Sequence, residues 1–361
     1  MSTPLFQPFV IGKMSLANRI VMAPMTRCRA DGARVPKPII AEHYAQRAAA
    51  GLIVTEATAI AADAVGVLNT PGIWSEAQVA GWRVVTEAVH AKGGKIFCQL
   101  WHCGRSSHSS MLPEGKLPVS ASAIAISNDH VWTAKGKVPY ETPRALDASE
   151  IPGIVKQYGE AAKNAMAAGF DGVELHSANG YLIDQFLQSK TNQRTDAYGG
   201  TVEKRFRLFR EVIEAIVAVW GADRVGARLS PNGVYNDMGS PDFREQFLYA
   251  AKELNSYPLA YLHVMDGLGF GFHKLGEALT LRDFRGVFKR PLMGNCGYTR
   301  EAGDAAIAAG DADLVAYGRP YIMNPDLVER FAANVPLAES ADMSKWYTNG
   351  PEGYIDYPTY K

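Results

Sequence analysis

The chain has 361 residues, 47% of them hydrophobic and 20% charged, a balance that builds a sizeable core and excludes intrinsic disorder. Lys plus Arg and Asp plus Glu each number 37, so the formal net charge is zero. The basic excess of a nucleic-acid or anionic-membrane binder is missing, and only a local positive site for a phosphate fits the charge balance. The four cysteines (Cys28, Cys98, Cys103 and Cys296) form no CxxC pair, so neither a zinc site nor a disulfide framework is expected. The opening run MSTPLFQPFVIGKM lacks a basic segment followed by an apolar one, and no stretch of 18 uninterrupted apolar residues follows. A soluble, cytoplasmic protein with no membrane partner is expected.

In chain order, eight apolar runs of strand length begin at Arg19 (RIVMAP), Leu52 (LIVTEAT), Lys95 (KIFCQLW), Gly172 (GVELHSA), Val225 (VGARLSP), Leu259 (LAYLHVMD), Pro291 (PLMGNC) and Leu314 (LVAYGRP). Their nearly continuous apolar character predicts parallel strands buried on both faces. Amphipathic helical stretches alternate with them and have readable ends. Ser75, Ser149 and Thr299 stand at helix starts, and Gly93, Gly169 and Gly310 at helix stops. Eight strand–helix units over roughly 330 residues predict a single (β/α)8 barrel domain covering 1–361, with an N-terminal hairpin lid. The competing doubly wound sheet wants G-x-G-x-x-G after its first strand. Here that strand runs into Ala23-Pro24-Met25-Thr26-Arg27, with no glycine, and the glycine-rich run Gly267-Leu268-Gly269-Phe270-Gly271 has the wrong spacing.

Between the third strand and the helix at Ser149, residues 104–146 are rich in Pro, Ser and Gly. A long βα excursion on the catalytic face reads as a cap, with a hairpin or two suggested by runs such as PVSASAIAI.

Barrel enzymes place their chemistry at the C-terminal ends of the strands. There the apolar runs give way to Thr26, to Gln99-Leu100-Trp101-His102, to His176 with Asn179 and Tyr181, to Arg228, to Asn295 and to Gly318-Arg319. Any one of these alone is most simply a buried polar group with a local partner. Six on one rim point to a site, since each costs free energy unless paired. The loops after strands seven and eight, Asn295-Cys296-Gly297 and Gly318-Arg319, with Thr299 capping the next helix, suit a phosphate.

Pro24-Met25-Thr26-Arg27, Gln99-Leu100-Trp101-His102, GVELHSANGYLIDQF (Gly172 to Phe186), Arg194 to Gly200, Ala316-Tyr317-Gly318-Arg319-Pro320 and Gly353 to Pro358 resemble the Old Yellow Enzyme family of flavin-dependent ene-reductases, from about Leu5 to Tyr360. The resemblance implies FMN at the barrel mouth, reduced by NADPH or NADH, with hydride passed to an activated alkene. It places Pro24, Met25, Thr26, Ala57, Gln99, Arg228, Asn295, Gly297, Gly318 and Arg319 at the cofactor. A fixed guanidinium such as Arg228 suits the anionic reduced flavin, and the Gln99 amide offers both a donor and an acceptor to its edge.

For the substrate, it implies a pocket of Thr26, Trp101, His176, Asn179, Tyr181 and Tyr347. His176 and Asn179 would polarise a carbonyl or nitro oxygen, and Tyr181 would protonate the α-carbon. The chain carries Asn179 where many relatives have a second His, and Val67 where a number of bacterial relatives have an aromatic. Thr26 rather than Cys assigns it to the Thr-bearing branch. His102, Arg105, Asn192, Arg194, Asp196, Gly199 and Gly200 read as structural, and Trp346 and Tyr347 as closing over the flavin's dimethylbenzene edge. The partners expected are small activated alkenes and a nicotinamide, with no nucleic acid, no membrane and no metal.

The main rival is a flavin-free barrel isomerase or aldolase acting on a phosphorylated substrate. It would want a Lys or Glu at a strand end, and none stands there: Glu56 and Glu174 lie inside their runs. A larger flavin and iron–sulfur dienoyl reductase would want a cysteine cluster.

Overall fold

The computed structural model describes residues 3–338 and 342–360. All eight predicted strands form: β1 (Ile20–Met22), β2 (Leu52–Val54), β3 (Ile96–Trp101), β4 (Gly172–His176), β5 (Val225–Leu229), β6 (Tyr261–Met265), β7 (Leu292–Asn295) and β8 (Leu314–Tyr317). Each pairs in parallel with the next, β8 pairs with β1, and the sheet closes into a barrel. Eight helices alternate with them: α1 (Pro38–Ala45), α2 (Glu76–His90), α3 (Ile151–Ala167), α4 (Val202–Trp220), α5 (Phe243–Glu253), α6 (Leu281–Val287), α7 (Arg300–Ala308) and α8 (Leu327–Ala333). No described helix is long and apolar enough to cross a membrane.

The helix ends follow their local chemistry at two of the three starts read above. Ser75 and Gln78 form a reciprocal capping box on α2, and Thr299 accepts from the Ala302 N–H at the start of α7. Ser149 does not cap α3. Glu150 takes the N-cap position, because its carboxylate is drawn back onto Arg144 at 2.6 Å and onto the Asp147 N–H at 2.8 Å.

Strand alternation sorts the core into two compartments. Side chains such as Ile53, Cys98, Leu100, Val173, Leu175, Val264 and Val315 face outward into the helix layer. Inward-facing Val21, Leu52, Phe97, Tyr261, Met293 and Leu314 fill the lower barrel together with Ile11 and Leu16. Those last two come from the N-terminal hairpin, where Phe9–Ile11 pairs antiparallel with Met14–Leu16. The hairpin therefore closes the floor of the barrel, away from the strand C-termini, and its Gly12 packs against Asp223 just before β5.

The 104–146 excursion lies on the opposite face. Its hairpin is His130–Thr133 with Gly136–Pro139, downstream of PVSASAIAI; that run instead supplies Val119–Ser120, paired in parallel with Arg144–Ala145. Arg105 reaches the Ile124 and Asn236 carbonyls, Arg194 the Ala121 and Leu146 carbonyls, and Ser120 donates to Gln185 Oε1. These bonds tie the excursion to the loops that follow β4 and β5.

Candidate active site

β4 ends at His176, and the chain turns through Asn179 and Gly180 into a short helix, Leu182–Leu187. Asn179 (φ +57°) and Gly180 (φ +73°) are both left-handed, a conformation that asparagine tolerates and glycine adopts freely. The turn is held by three bonds: the Asn179 N–H donates to Ser230 Oγ at 2.7 Å, the Gly180 N–H to Asp184 Oδ2 at 2.8 Å, and Asn236 Nδ2 to the Asn179 carbonyl at 2.9 Å. A Cβ on Gly180 would sit 2.7 Å from both Asn236 Cβ and Met238 Cγ. Gly180→Ala is therefore expected to cost about 1–3 kcal/mol from backbone strain alone, read as a lowered Tm. A parental Tm would show that the turn yields freely.

The turn brings His176 and Tyr181 together, with ring centroids 4.8 Å apart at 76°. Trp101, at the end of β3, packs edge-on to Tyr181 from its other side at 4.9 Å and 87°. Trp101 is wholly buried, in a small apolar cluster with Ala57, Cys103, Tyr181 and Val67. His176 Nδ1 accepts from the Ala178 N–H at 3.4 Å, which leaves the ring proton on Nε2. Burial, reinforced by the charge of Arg228, pushes the His176 pKa well below its ordinary value, so the ring is a neutral donor. Burial also pushes the Tyr181 hydroxyl well up, so it keeps its proton. That hydroxyl meets the hydroxyl of Tyr235, a half-exposed residue that sequence reasoning missed. Nothing in the run PNGVYNDMG marks Tyr235 before the loop is folded.

Below this wall, the inward positions of the upper strands carry a polar layer. Arg228 Nη2 donates to Asn295 Oδ1 at 2.9 Å, while Arg228 Nε, although buried, has no partner among the described residues. Asn295 also donates to the Ala316 carbonyl at 2.8 Å, so its amide holds Arg228 in place. Gln99 Nε2 donates to Glu174 Oε1 at 2.7 Å, and Glu174 Oε2 meets His263 Nδ1 at 2.9 Å. Glu174 and His263 were the second omission; each reads in sequence as a strand-interior residue. Pro24, Met25 and Thr26 follow β1 half-buried, and the Thr26 hydroxyl has no partner among the described residues. Ala57 is buried beyond β2.

At the rim after β7 and β8, Gly297 (φ +94°) has open space where a side chain would project. Gly318 leads into a short helix, Arg319–Met323. Arg319 is exposed, stacks 5.2 Å from the Phe270 ring and has no hydrogen-bond partner among the described residues. The C-terminal segment is clasped beside this rim by two further residues not singled out by sequence. Arg27 donates to the Trp346 and Gly353 carbonyls, and Arg29 to the Trp346 and Gly350 carbonyls. Tyr347 is left 61% exposed, whereas Trp346 is half-buried. Asn192, Arg194 and Asp196 direct their polar atoms to turns and to the excursion; His102 Nδ1 and the Arg105 Nη groups do the same, while His102 Nε2 and Arg105 Nε are buried without a partner among the described residues.

An unpartnered buried guanidinium N–H, an amide edge, a free threonine hydroxyl and a glycine-lined rim with an exposed arginine fit the pyrimidine ring and the phosphate of FMN. A closed parallel barrel with such a mouth defines a (β/α)8 flavin oxidoreductase. The chain belongs to the NADH:flavin oxidoreductase / NADH oxidase family, whose profile matches residues 4–338, and within it to the Old Yellow Enzyme group of FMN-dependent alkene reductases drawing on NAD(P)H. An old yellow enzyme homologue from Zymomonas mobilis is 45% identical, with 98% of this chain and 99% of that one covered at a TM-score of 0.94. Morphinone reductase in complex with tetrahydroNAD is 43% identical, with 100% and 98% covered at 0.93. A probable flavin mononucleotide-dependent alkene reductase from Leishmania infantum is 42% identical over 358 residues, 98% of this chain and 97% of that protein.

Proposed function

We propose that the protein reduces the activated double bond of α,β-unsaturated carbonyls, maleimides or nitroalkenes, with His176, Asn179 and Tyr181 as the residues that act on the substrate. The observation that carries this reading is the pairing of a neutral Nε2–H donor, His176, with a protonated phenol, Tyr181, at 4.8 Å between ring centroids. His176 Nε2–H and the Asn179 side chain hold the substrate's carbonyl or nitro oxygen, withdrawing charge from the β-carbon and stabilising the oxyanion that develops there. Tyr181 gives its proton to the α-carbon. Trp101 shapes the wall behind Tyr181, and Thr26 and Tyr347 complete the pocket.

Gln99, Arg228 and Thr26 would hold the pyrimidine edge of FMN, with Asn295 orienting Arg228. Pro24, Met25 and Ala57 would line the ring, and Gly297, Gly318 and Arg319 would hold the phosphate. When bound, FMN supplies the hydride, replenished by NADPH or NADH. The partners are then small molecules met in the cytoplasm, and the zero net charge lacks the basic excess that a nucleic-acid or anionic-membrane partner calls for.

Apart from the short pair Val119–Ser120 and Arg144–Ala145 in the excursion, the parallel strands of the described residues belong to one barrel, so nicotinamide and alkene share one pocket and take turns in it. Initial-rate plots with an enone and either nicotinamide are expected to give parallel, ping-pong lines. Intersecting lines without substrate inhibition would defeat the shared site.

A further inference from the structure

Three polar side chains in the upper barrel converge on one carboxylate that the proposed chemistry leaves unused. Strand register sets Glu174 beside Gln99 across β4 and β3, and Arg228 beside both His176 and His263 across β4, β5 and β6. Glu174 and His263 are wholly buried, and Gln99 and Arg228 nearly so. A lone carboxylate in such a place is costly to keep charged. Burial does oppose its ionisation, but His263 and Arg228 beside it and the Gln99 amide hold its pKa below the ordinary range. Burial keeps His263 itself neutral, so its Nδ1–H is the donor of that pair. Among these groups Glu174 therefore stands as one negative charge against the one positive charge of Arg228.

The carboxylate also decides how Gln99 faces. A carboxamide can present either end, and turning this one over would set its oxygen against Glu174 Oε1, acceptor against acceptor. The bond from Gln99 Nε2 at 2.7 Å excludes that orientation.

We propose that Glu174 is a positioning residue for the flavin: it fixes the orientation of the Gln99 amide and offsets the charge of Arg228, so that the bound FMN has a lower reduction potential than Gln99 and Arg228 would otherwise give it. The inference rests on the seating of the FMN pyrimidine edge against Gln99 and Arg228 proposed above.

Glu174→Gln keeps the size of the side chain and removes its charge. In the FMN-loaded protein it is expected to raise the preference for reduced over oxidised FMN about tenfold, a rise of about 30 mV for a two-electron couple. Equilibration with a reference dye reads this without turnover. Gln99→Ala tests the seating separately and is expected to weaken FMN binding at least severalfold. If Gln99→Ala weakens FMN binding but Glu174→Gln leaves the potential unmoved, the role of Glu174 is overturned and the seating stands. If Gln99→Ala binds FMN as tightly as the parent, the seating falls and this inference with it. Should Glu174→Gln not fold or not load FMN, Glu174→Asp carries the test. It keeps the charge but withdraws the oxygen from Gln99, so FMN affinity should fall severalfold while the potential stays near parental. Parental affinity in that variant would also overturn the proposal.

Discussion

Tyr181→Phe is expected to bleach with NAD(P)H at a near-parental rate, while its reoxidation by an enone slows roughly 10²–10⁴-fold, the usual worth of a general acid. The substitution removes only the hydroxyl. The ring keeps its edge contacts with Trp101 and His176, so folding and FMN content should survive. Because burial holds the phenol protonated, its proton is available for the α-carbon, whereas no proton on Tyr181 is needed to accept hydride from the nicotinamide. Nitroalkenes should suffer less, since the nitronate left by hydride addition is a stable anion that takes its proton from water later. Rapid-mixing absorbance of the two half-reactions is the measurement. Equal slowing of both would make Tyr181 a packing residue, and unchanged enone reduction would assign the proton to water or to another side chain.

The second large effect is expected at the oxygen-binding pair. A phenol bound over the flavin presents an oxygen where the substrate's polarised oxygen would lie, so removing either donor should weaken it. Hydrogen bonds to a charged oxygen contribute about 1.5–3 kcal/mol each, so His176→Ala or Asn179→Ala should raise the phenol Kd by roughly 10–150-fold. The neutral state of His176 matters here. With Nδ1 accepting from the Ala178 N–H, only Nε2–H is left to donate. Long-wavelength absorbance on titration with a phenol reads the Kd. Two variants that bind as tightly as the parent would remove both residues from the oxygen site.

Much of this site was legible before folding, for reasons that can be named. His176, Asn179 and Tyr181 fall within six consecutive residues, so local backbone geometry alone brings them near one another, and Asn179-Gly180 signals the tight turn that does it. The rim glycines were legible as glycines that follow strand ends, and their approach to a phosphate is part of the function proposed above. Ser149 misled because capping is a competition, and Arg144, not readable as a partner from sequence, draws Glu150 into the cap position instead. Tyr235, Arg27 and Arg29 were missed for a shared reason. Tyr235 meets Tyr181 54 residues away, and the C-terminal partners of Arg27 and Arg29 lie at least 319 and 316 residues away, with no periodicity to link them.

The sequence by itself determined the eight strands, their alternation with helices, and hence the barrel, because hydrophobic period and helix-end chemistry act over a few neighbouring residues. It also determined which side chains crowd the strand ends. Only the closed barrel decided which side chains face inward and beside whom. A strand buried on both faces is apolar on both, so its pattern does not tell inside from outside, and the polar residues Gln99, Glu174, Arg228, His263 and Asn295 sit in five separate runs. Closure and parallel register set Glu174 against Gln99 and Arg228 against His263, and the apolar lower barrel turns those side chains toward one another, toward the Ala316 carbonyl that Asn295 meets, and toward whatever binds at the mouth. That mutual dependence is long-range electrostatics and packing, which comes into being only when the first strand meets the last.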